Sequence, residues 1–337
     1  MKVAVFEAAN KLSIQDKPMP RLESGDVLVK VELCGICASD LMALKGEVTD
    51  YSPPVVMGHE VSGIVVESRH DAVKVGERVT VNPMISCGEC YYCRNDLDKY
   101  CPELYGIGHD IDGGYAEYLR VPKQAIENGC LLAVPKEIPA EEVMFVEALG
   151  CCLNAMRETI FRESVAILGA GSIGLTFVKL AKLKGLQTVV VEPLGHRRKM
   201  AEKLGADCVL DGDEMAINQV IEDTEGGVDT VILATNNVNA LDLMFKLARR
   251  GACLNFFGLF PKGNELKLEL EELHFMGYKI LASWAFSKWS MNEARKMIVE
   301  GSINFEGFLT HCFPLEKAVE AFENAKNRCG VKTALVP

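Results

Sequence analysis

The chain has 337 residues, of which 49% are hydrophobic and 25% are charged, and a formal net charge of −11 at pH 7. That length suits two globular domains, and an acidic chain without a long basic tract is a poor partner for nucleic acid or an anionic membrane. The N-terminus and the lack of any run of about 18 apolar residues predict neither a signal peptide nor a membrane anchor. With 13 cysteines and no secretion signal, we expect a cytoplasmic protein.

Short β-like runs dominate the N-terminal part of the chain. Residues 27–33, 61–66 and 77–82 are rich in valine, and Gly and Pro residues separate such runs. Runs of β-branched residues bounded by turn residues are typical of strands. We therefore predict a compact, mainly β domain here.

Four cysteines lie within one short segment of this β-rich part. They are Cys87, Cys90, Cys93 and Cys101, in the pattern C-x2-C-x2-C-x7-C. Four thiolates so close together can close a tetrahedral shell around Zn²⁺, which leaves no position for a substrate. The alternative is a set of incidental buried or disulfide-bonded cysteines, which this spacing disfavours. We predict a structural zinc.

From Ser164 onward, apolar strands alternate with amphipathic helices. The first strand, at 165–168, precedes a helix from about 172 to 184. Further strands are predicted at 188–191, 208–210, 230–233 and 252–256. This alternation implies a parallel sheet covered by helices on both faces.

A glycine-rich turn joins the first of these strands to its helix. The segment Gly169-Ala-Gly171-Ser172-Ile173-Gly174 fits G-x-G-x-x-G in the strand–turn–helix context that the motif requires. Gly169 would make the tight turn, Gly171 would let the backbone approach a pyrophosphate, and Gly174 would let helix and strand pack closely. The helix N-terminus would attract the phosphates, which predicts a dinucleotide site.

The cofactor is predicted from the end of the next strand. A carboxylate at Glu192 can accept both ribose hydroxyls and would repel a 2′-phosphate, which favours NAD over NADP. Arg197 and Arg198 complicate this prediction, because a nearby arginine can accommodate the phosphate; the alternative for both is a solvated helix face.

A second set of possible metal ligands is dispersed along the chain. Cys37 precedes Ser39 and Asp40, His59 and Glu60 are adjacent, and Glu147 lies much further along. A thiolate, an imidazole and carboxylates suit a catalytic zinc that keeps one position open. Each of these residues is a weak signal by itself.

Taken together, these motifs make a family recognisable. Five motifs follow one another along the chain: Gly-Ile-Cys37-x-Ser39-Asp40, Gly58-His59-Glu60, the Cys₄ segment, an Asp-Gly-Gly-Tyr-Ala-Glu-Tyr stretch and the glycine loop. They occur in the order found in the zinc-dependent medium-chain alcohol dehydrogenases. The chain resembles that family over nearly its whole length, and its polyol and threonine dehydrogenase branch in particular. The resemblance implies an α/β fold with a GroES-like, mainly β catalytic domain and a Rossmann domain with a doubly wound parallel sheet.

The resemblance also implies the metal ligands. Cys37 and His59 would hold the catalytic zinc, with Glu60 as a ligand or near-ligand. Glu147 would be a further ligand or would bind the metal's water. The implied cofactors are therefore NAD, with NADP as the alternative, and two Zn²⁺ per chain, one catalytic and one structural.

Neighbouring residues receive supporting roles by the same resemblance. Asp40 would orient His59, as metal-bound imidazoles usually need, and Ser39 would pass the substrate proton onward. Cys34, Cys151 and Cys152 are interpreted as core thiols, although some relatives place a zinc-binding cysteine in the segment of the latter two.

Two positions depart from the family pattern. Many relatives carry a relay histidine three residues after the matching serine, where this chain has Met42, so protons must leave by another route. Threonine dehydrogenases typically have a histidine where this chain has Met84, which puts threonine in doubt as the substrate.

His109 lies near a family loop that can approach the substrate.

The predicted function is oxidation of a secondary alcohol, a polyol or sugar alcohol, by hydride transfer to NAD. The alternatives are an NADPH-dependent carbonyl reductase, a threonine-type dehydrogenase and a non-enzymatic dinucleotide- or zinc-binding regulator. We predict a catalytic domain at 1–145, a nucleotide domain at 146–283 and a C-terminal return at 284–337. The family resemblance also implies a homo-oligomer, either a dimer or a tetramer.

Overall fold

The structure, a computed structural model, describes residues 1–337. The chain separates into two compact units. The first comprises Met1–Cys151 and Ala285–Pro337, and the second comprises Cys152–Trp284. None of the helices is both long enough and apolar enough to cross a membrane.

The first unit is mainly β. Its N-terminal part contains, in chain order, β1 (Lys2–Ala8), β2 (Lys11–Asp16), β3 (Val27–Gly35), α1 (Ala38–Lys45), β4 (Val55–Val56), β5 (Glu60–Ser68), β6 (Arg78–Val81), β7 (Met84–Ile85), α2 (Tyr91–Arg94), β8 (Tyr105–Gly106), β9 (Tyr118–Val121), α3 (Lys123–Glu127), β10 (Leu131–Val134), α4 (Ala140–Val143) and α5 (Val146–Glu158), the last of which continues into the second unit.

A seven-stranded sheet forms the frame of the first unit. Six strands follow the order β10-β6-β5-β3 and then two strands from the C-terminal segment, while β9 also pairs with β3. The central strands β3 and β5 run antiparallel, with Gly35 opposite Glu60. Their apolar side chains, such as Val29, Val31 and Val61, are buried in the core. This register places the residues after β3 beside those before β5.

The C-terminal segment completes this sheet. Its elements are α11 (Lys288–Val299), β17 (Leu309–Pro314), α12 (Ala318–Lys326) and β18 (Lys332–Val336). Strand β18 runs parallel to β17 and antiparallel to β3, with Ala334 opposite Gly35. The last strand of the chain therefore lies against the end of β3.

The second unit alternates strands and helices. Its elements are β11 (Ser164–Leu168), α6 (Ser172–Leu183), β12 (Gln187–Val191), α7 (Gly195–Lys203), β13 (Cys208–Leu210), α8 (Glu214–Asp223), β14 (Val228–Leu233), α9 (Ala240–Leu247), β15 (Ala248–Phe256), α10 (Leu270–Met276) and β16 (Lys279–Ala282).

Six parallel strands form one sheet in the second unit, in the order β13-β12-β11-β14-β15-β16. The order reverses at β11, since β12 lies on one side of it and β14 on the other. Ligands bind at such a switch point, outside the carboxyl ends of the strands. The glycine turn that follows β11 is at that place.

The mainly β unit and the doubly wound parallel sheet confirm the predicted fold class. Three helices of the second unit, α8, α9 and α10, were not predicted by residue range. His274 lies inside α10, and the strand that follows covers Lys279–Ala282.

Candidate metal centre and nucleotide site

Sheet register brings three potential metal ligands together in the first unit. Cys37 follows β3 and caps α1, His59 directly precedes β5, and Glu60 begins that strand. Their ligand atoms all lie within 4.8 Å of one another. Cys37 is half-buried, whereas His59 and Glu60 are buried. Because β3 and β5 are paired, residues more than twenty positions apart in sequence meet at one end of the sheet.

Asp40 is the carboxylate behind this cluster. It is fully buried, and it accepts hydrogen bonds from the Cys37 amide at 3.0 Å, the Tyr51 hydroxyl at 3.0 Å and the Tyr115 hydroxyl at 2.7 Å. Its Oδ1 atom lies 3.6 Å from Nδ1 of His59. A small movement of either side chain would therefore complete the predicted contact of Asp40 with the imidazole.

The charge of this pocket acts on His59. Burial by itself would lower the pKa of His59, but the nearby Asp40 and Cys37 outweigh it and raise that pKa well above its usual range. A metal-bound imidazole must give up one proton, so a metal cation here would take the place of that positive charge. Negative groups around a single imidazole indicate a site built for a cation.

Glu147 lies in the first turn of α5, close to Cys37, His59 and Glu60. It does not belong to the group whose ligand atoms all lie within 4.8 Å of one another. Burial raises the pKa of Glu147, with Glu60 adding to the effect and His59 opposing it. The thiol of Cys151, one turn further along the helix, donates to Oε1 of Glu147 at 3.3 Å. The carboxylate and this thiol are therefore neighbours.

A buried lysine that no sequence motif indicates lies near the centre. Lys332, the first residue of β18, donates to Oε1 of Glu60 at 2.5 Å and also contacts Oε2. Both side chains are at most 4% exposed. A Cβ at Gly35 would overlap Oε2 of Glu60, so the absence of a side chain there makes room for the pair. A charged residue at the start of an apolar strand gives no hint of a partner 272 residues away.

Aromatic residues form one wall of the same region. The ring of His109 stacks on Tyr51 with a centroid distance of 4.1 Å and lies 5.3 Å from the ring of His59. Burial lowers the pKa of His109, and the positive charge of His59 lowers it further. The structure thus places His109 beside the candidate metal centre, while Tyr51 had given no signal in the sequence.

These residues fit a zinc ion. The donor set combines a thiol, an imidazole and a carboxylate whose ligand atoms meet at one place. Zinc is commonly held by such mixed N, O and S donors, with one position left open for water or substrate. Cys34, by contrast, is a fully buried thiol whose burial raises its pKa well above the usual range, which agrees with its interpretation as a core thiol.

The four cysteines of the lobe also lie together. The ligand atoms of Cys87, Cys90, Cys93 and Cys101 are all within 4.8 Å of one another. Backbone amides point at the sulfurs, since the amide of Cys90 donates to Sγ of Cys87 and the amide of Cys87 donates to Sγ of Cys101, both at 3.4 Å. The Cys93 amide is the main cause that lowers the pKa of Cys90 to about 7. Such a shell suits thiolates around Zn²⁺.

The glycine loop of the second unit has the geometry of a dinucleotide-binding turn. Helix α6 begins at Ser172 directly after the loop. A Cβ at Gly174 would collide with the carbonyl oxygen of Gly169, so only glycine allows the helix to pack this close to the strand. Ile173 and the rest of the first helical turn follow at the carboxyl end of β11. The free amides of a helix N-terminus at this position can bind phosphate.

Glu192 is already engaged within the loop. It is buried, and its carboxylate accepts hydrogen bonds from the amide of Ala170 at 2.7 Å and the amide of Leu194 at 2.9 Å. The guanidinium of Arg197 lies 3.6 Å from the position of a Cβ on Gly171. Arg198 donates instead to the carbonyl oxygens of Glu192 and Pro193. The carboxylate and one guanidinium therefore both border the loop.

Known proteins share this organisation. Residues 23–131 match the family model of the alcohol dehydrogenase GroES-like domain, and residues 172–300 match that of the zinc-binding dehydrogenases. D-arabitol-phosphate dehydrogenase of Enterococcus avium is 30% identical over 97% of this chain and 94% of its own. L-threonine 3-dehydrogenase of Pyrococcus horikoshii is 32% identical over 90% of this chain and 89% of its own.

A solved structure shows the same similarity. A zinc-binding dehydrogenase of Sinorhizobium meliloti, bound to NADP, matches with a TM-score of 0.91 and 30% identity over 100% of this chain and 99% of that chain. The predicted family, reaction class and zinc dependence are therefore confirmed. The chain belongs to the zinc-dependent medium-chain alcohol dehydrogenases, in the polyol and threonine dehydrogenase-like branch, and is an NAD(P)-dependent oxidoreductase acting on CH–OH groups.

Proposed function

We propose that the protein oxidises a secondary alcohol, a polyol or sugar alcohol, by hydride transfer to NAD, with a catalytic zinc held by Cys37 and His59. The observation that carries the proposal is the meeting of the Cys37, His59 and Glu60 ligand atoms within 4.8 Å of one another. Glu60 is a ligand or near-ligand in this proposal, and Glu147 is a further ligand or binds the metal's water.

The side chains around the centre have separate tasks in the proposed reaction. Zinc, when bound, supplies a charge that lowers the pKa of an alcohol hydroxyl. Asp40 orients His59 from Oδ1, which lies 3.6 Å from Nδ1 of the imidazole, a nitrogen without a hydrogen-bond partner. Ser39 takes up the hydroxyl proton and passes its own hydrogen onward, and NAD, when bound, would accept the hydride of the carbinol carbon. The protein aligns the donor and the acceptor, while the cofactor carries the electrons.

The nucleotide site supports NAD as the acceptor. Gly169, Gly171 and Gly174 let the backbone and the α6 N-terminus face the pyrophosphate, with Ser172 and Ile173 in the first helical turn. Glu192 supplies a carboxylate on the adenosine side. We propose Arg197 as a further cofactor contact, because its guanidinium borders the loop.

The test is a panel of polyols, inositols, sugar phosphates and β-hydroxy amino acids, with the formation of NADH or NADPH followed by absorbance. We expect turnover on a polyhydroxylated alcohol and a kcat/KM at least about tenfold higher for NAD than for NADP, since like-charge repulsion at Glu192 acts on the 2′-phosphate. The variant Glu192→Gln keeps an oxygen acceptor and should narrow this ratio, whereas Glu202→Gln on the exposed side of α7 should not.

A preference for NADP in the wild-type protein would instead favour the carbonyl reductase alternative. Threonine as the best substrate would favour the threonine-type alternative, despite Met84. The absence of turnover on every alcohol of the panel would contradict the proposed substrate class.

We also propose a structural zinc at Cys87, Cys90, Cys93 and Cys101. We expect Cys90→Ser to lower the zinc content from about two to about one per chain and the melting temperature by about 5–10 °C, because metal binding contributes to folding free energy. The readouts are elemental analysis and thermal unfolding. Cys312→Ser, at an exposed free thiol, is the control. Unchanged zinc content and melting temperature in Cys90→Ser would refute the structural zinc.

Assembly and location are part of the proposal. Leu270, Phe275 and Ile280 expose 80%, 68% and 39% of their surface on α10 and on the edge strand β16 of the second unit. Apolar surface of this kind supports a homo-oligomer, either a dimer or a tetramer. All thirteen cysteines are free thiols, which supports a reducing, cytoplasmic location.

A further inference from the structure

A tyrosine connects Ser39 to the buried aspartate of the metal centre. The Tyr51 hydroxyl oxygen lies 3.0 Å from Oδ1 of Asp40 and 3.2 Å from Oγ of Ser39. The Tyr51 side chain is buried, with its ring stacked on His109 and edge-on to Phe6 at a centroid distance of 6.1 Å. These ring contacts fix the position of the hydroxyl group.

The hydrogen bonds that link Ser39, Tyr51 and Asp40 can point in only one direction. A carboxylate accepts hydrogen bonds and donates none, and a phenol has a single hydrogen. Asp40 also accepts from the Cys37 amide and from Tyr115, as a carboxylate does. The single hydrogen of Tyr51 therefore goes to Asp40, and the contact between Tyr51 and Ser39 uses the hydrogen of Ser39. The lone pairs of Ser39 are left to accept another hydrogen.

We propose, on the basis of the function proposed above, that Tyr51 is a positioning residue for Ser39: it keeps the lone pairs of Ser39 free to accept the alcohol proton and directs the hydrogen that Ser39 gives up toward the Tyr51 oxygen. Without Tyr51, the Ser39 hydroxyl can rotate and donate toward the substrate oxygen, which is the wrong polarity for alcohol oxidation. Met42, three residues after Ser39 on α1, is apolar and buried. The orienting partner of Ser39 comes instead from the segment that precedes β4.

Tyr115 provides a matched control for this inference. Like Tyr51, it is a buried tyrosine that donates to Asp40, at 2.7 Å from Oδ2, but its hydroxyl has no contact with Ser39 and lies instead 3.0 Å from the carbonyl oxygen of Gly35. A loss of kcat/KM that is caused through Asp40 and His59 should appear in both Tyr51→Phe and Tyr115→Phe. An effect that passes through Ser39 should appear in Tyr51→Phe alone.

The experiment is a double-mutant cycle on the zinc-loaded protein, with the polyol that the panel shows to be oxidised fastest. We expect Tyr51→Phe to lower kcat/KM by about tenfold, the worth of one well-placed hydrogen bond. In the Ser39→Ala background the same change should cost less than about twofold, because no hydroxyl remains to be oriented. Tyr115→Phe should have the same effect, whatever its size, in both backgrounds.

The rates of these variants distinguish a failure of the role of Tyr51 from a failure of the proposed function. A full tenfold loss from Tyr51→Phe in the Ser39→Ala background, or no loss in the wild-type background, overturns the role of Tyr51 while leaving the proposed function intact. A Ser39→Ala variant with the full wild-type rate overturns the proton-acceptor role of Ser39, and this inference with it. Zinc content and melting temperature are measured for every variant. If Tyr51→Phe is less stable than the wild-type protein, its rates are measured below its melting temperature. The loss of kcat/KM caused by Ser39→Ala is then compared in the Tyr51→Phe and wild-type backgrounds. Equal losses in the two backgrounds overturn the inference.

Discussion

Replacing Cys37 or His59 by Ala should abolish alcohol oxidation, with a loss of at least about 10³-fold in kcat/KM, while NAD still binds. Each variant removes one of the three ligand atoms that meet at the centre. The charge that lowers the hydroxyl pKa is lost with the metal, and catalytic groups that act as a unit are not replaced by their neighbours. Binding of NAD depends on the glycine loop of the second unit, so we expect its dissociation constant to change by less than about threefold.

The matched control for Cys37→Ala is Cys34→Ala. Both cysteines lie in the same Cys-x-x-Cys stretch, but Cys34 faces the core and is not among the ligands that meet. We expect Cys34→Ala to cost some stability and to keep both the zinc and most of the activity. The measurements are metal analysis after dialysis under metal exclusion, NAD titration and initial rates. If Cys37→Ala and His59→Ala keep near-normal rates without metal, the zinc mechanism is wrong.

Local motifs and long-range contacts differed in how well the sequence predicted them. The Cys₄ lobe and the glycine loop are short segments whose spacing alone predicts their geometry, and the structure has the four sulfurs together and α6 beginning at Ser172. The meeting of Cys37 with His59 depends on the pairing of β3 with β5. No single segment encodes that pairing, so only the resemblance to a family predicted the site.

Residues that belong to no motif could not be predicted in the same way. Tyr51 and Lys332 reach the centre from a loop and from the last strand, and their importance comes from burial and partners that appear only in three dimensions. Two of the missed helices, α8 and α10, are a different matter. The carboxylate of Asp213 accepts from two amides at the start of α8, and Gly277 ends α10 in the left-handed conformation. Both are ordinary helix signals that were present in the sequence.

Lys332→Met should destabilise the metal-free protein by about 3–5 kcal/mol, the usual cost of leaving one partner of a buried ion pair alone. Burial works against the charged form of Lys332, but Glu60 and Cys37 raise its pKa above the usual value. Cys37, Glu60 and Glu147 are the acidic groups that act on this lysine, so its loss leaves their charge uncompensated. We expect the exposed pair of Lys326 and Glu323 to contribute less than about 1 kcal/mol, which makes Lys326→Met the control.

The effect of Lys332→Met should depend on the metal. A zinc ion next to Glu60 supplies a positive charge in place of the lysine, so we expect the loss of stability to be smaller in the zinc-loaded protein than in the metal-free one. Glu60 is then also free to turn toward the metal, and zinc should leave more slowly to a chelator than it does from the wild-type protein. Adding Glu60→Gln removes the unpaired charge and should restore part of the metal-free stability. Equal losses with and without zinc, measured by chemical unfolding, would mean that Lys332 supports the fold of the sheet and does not balance the charge of the metal centre.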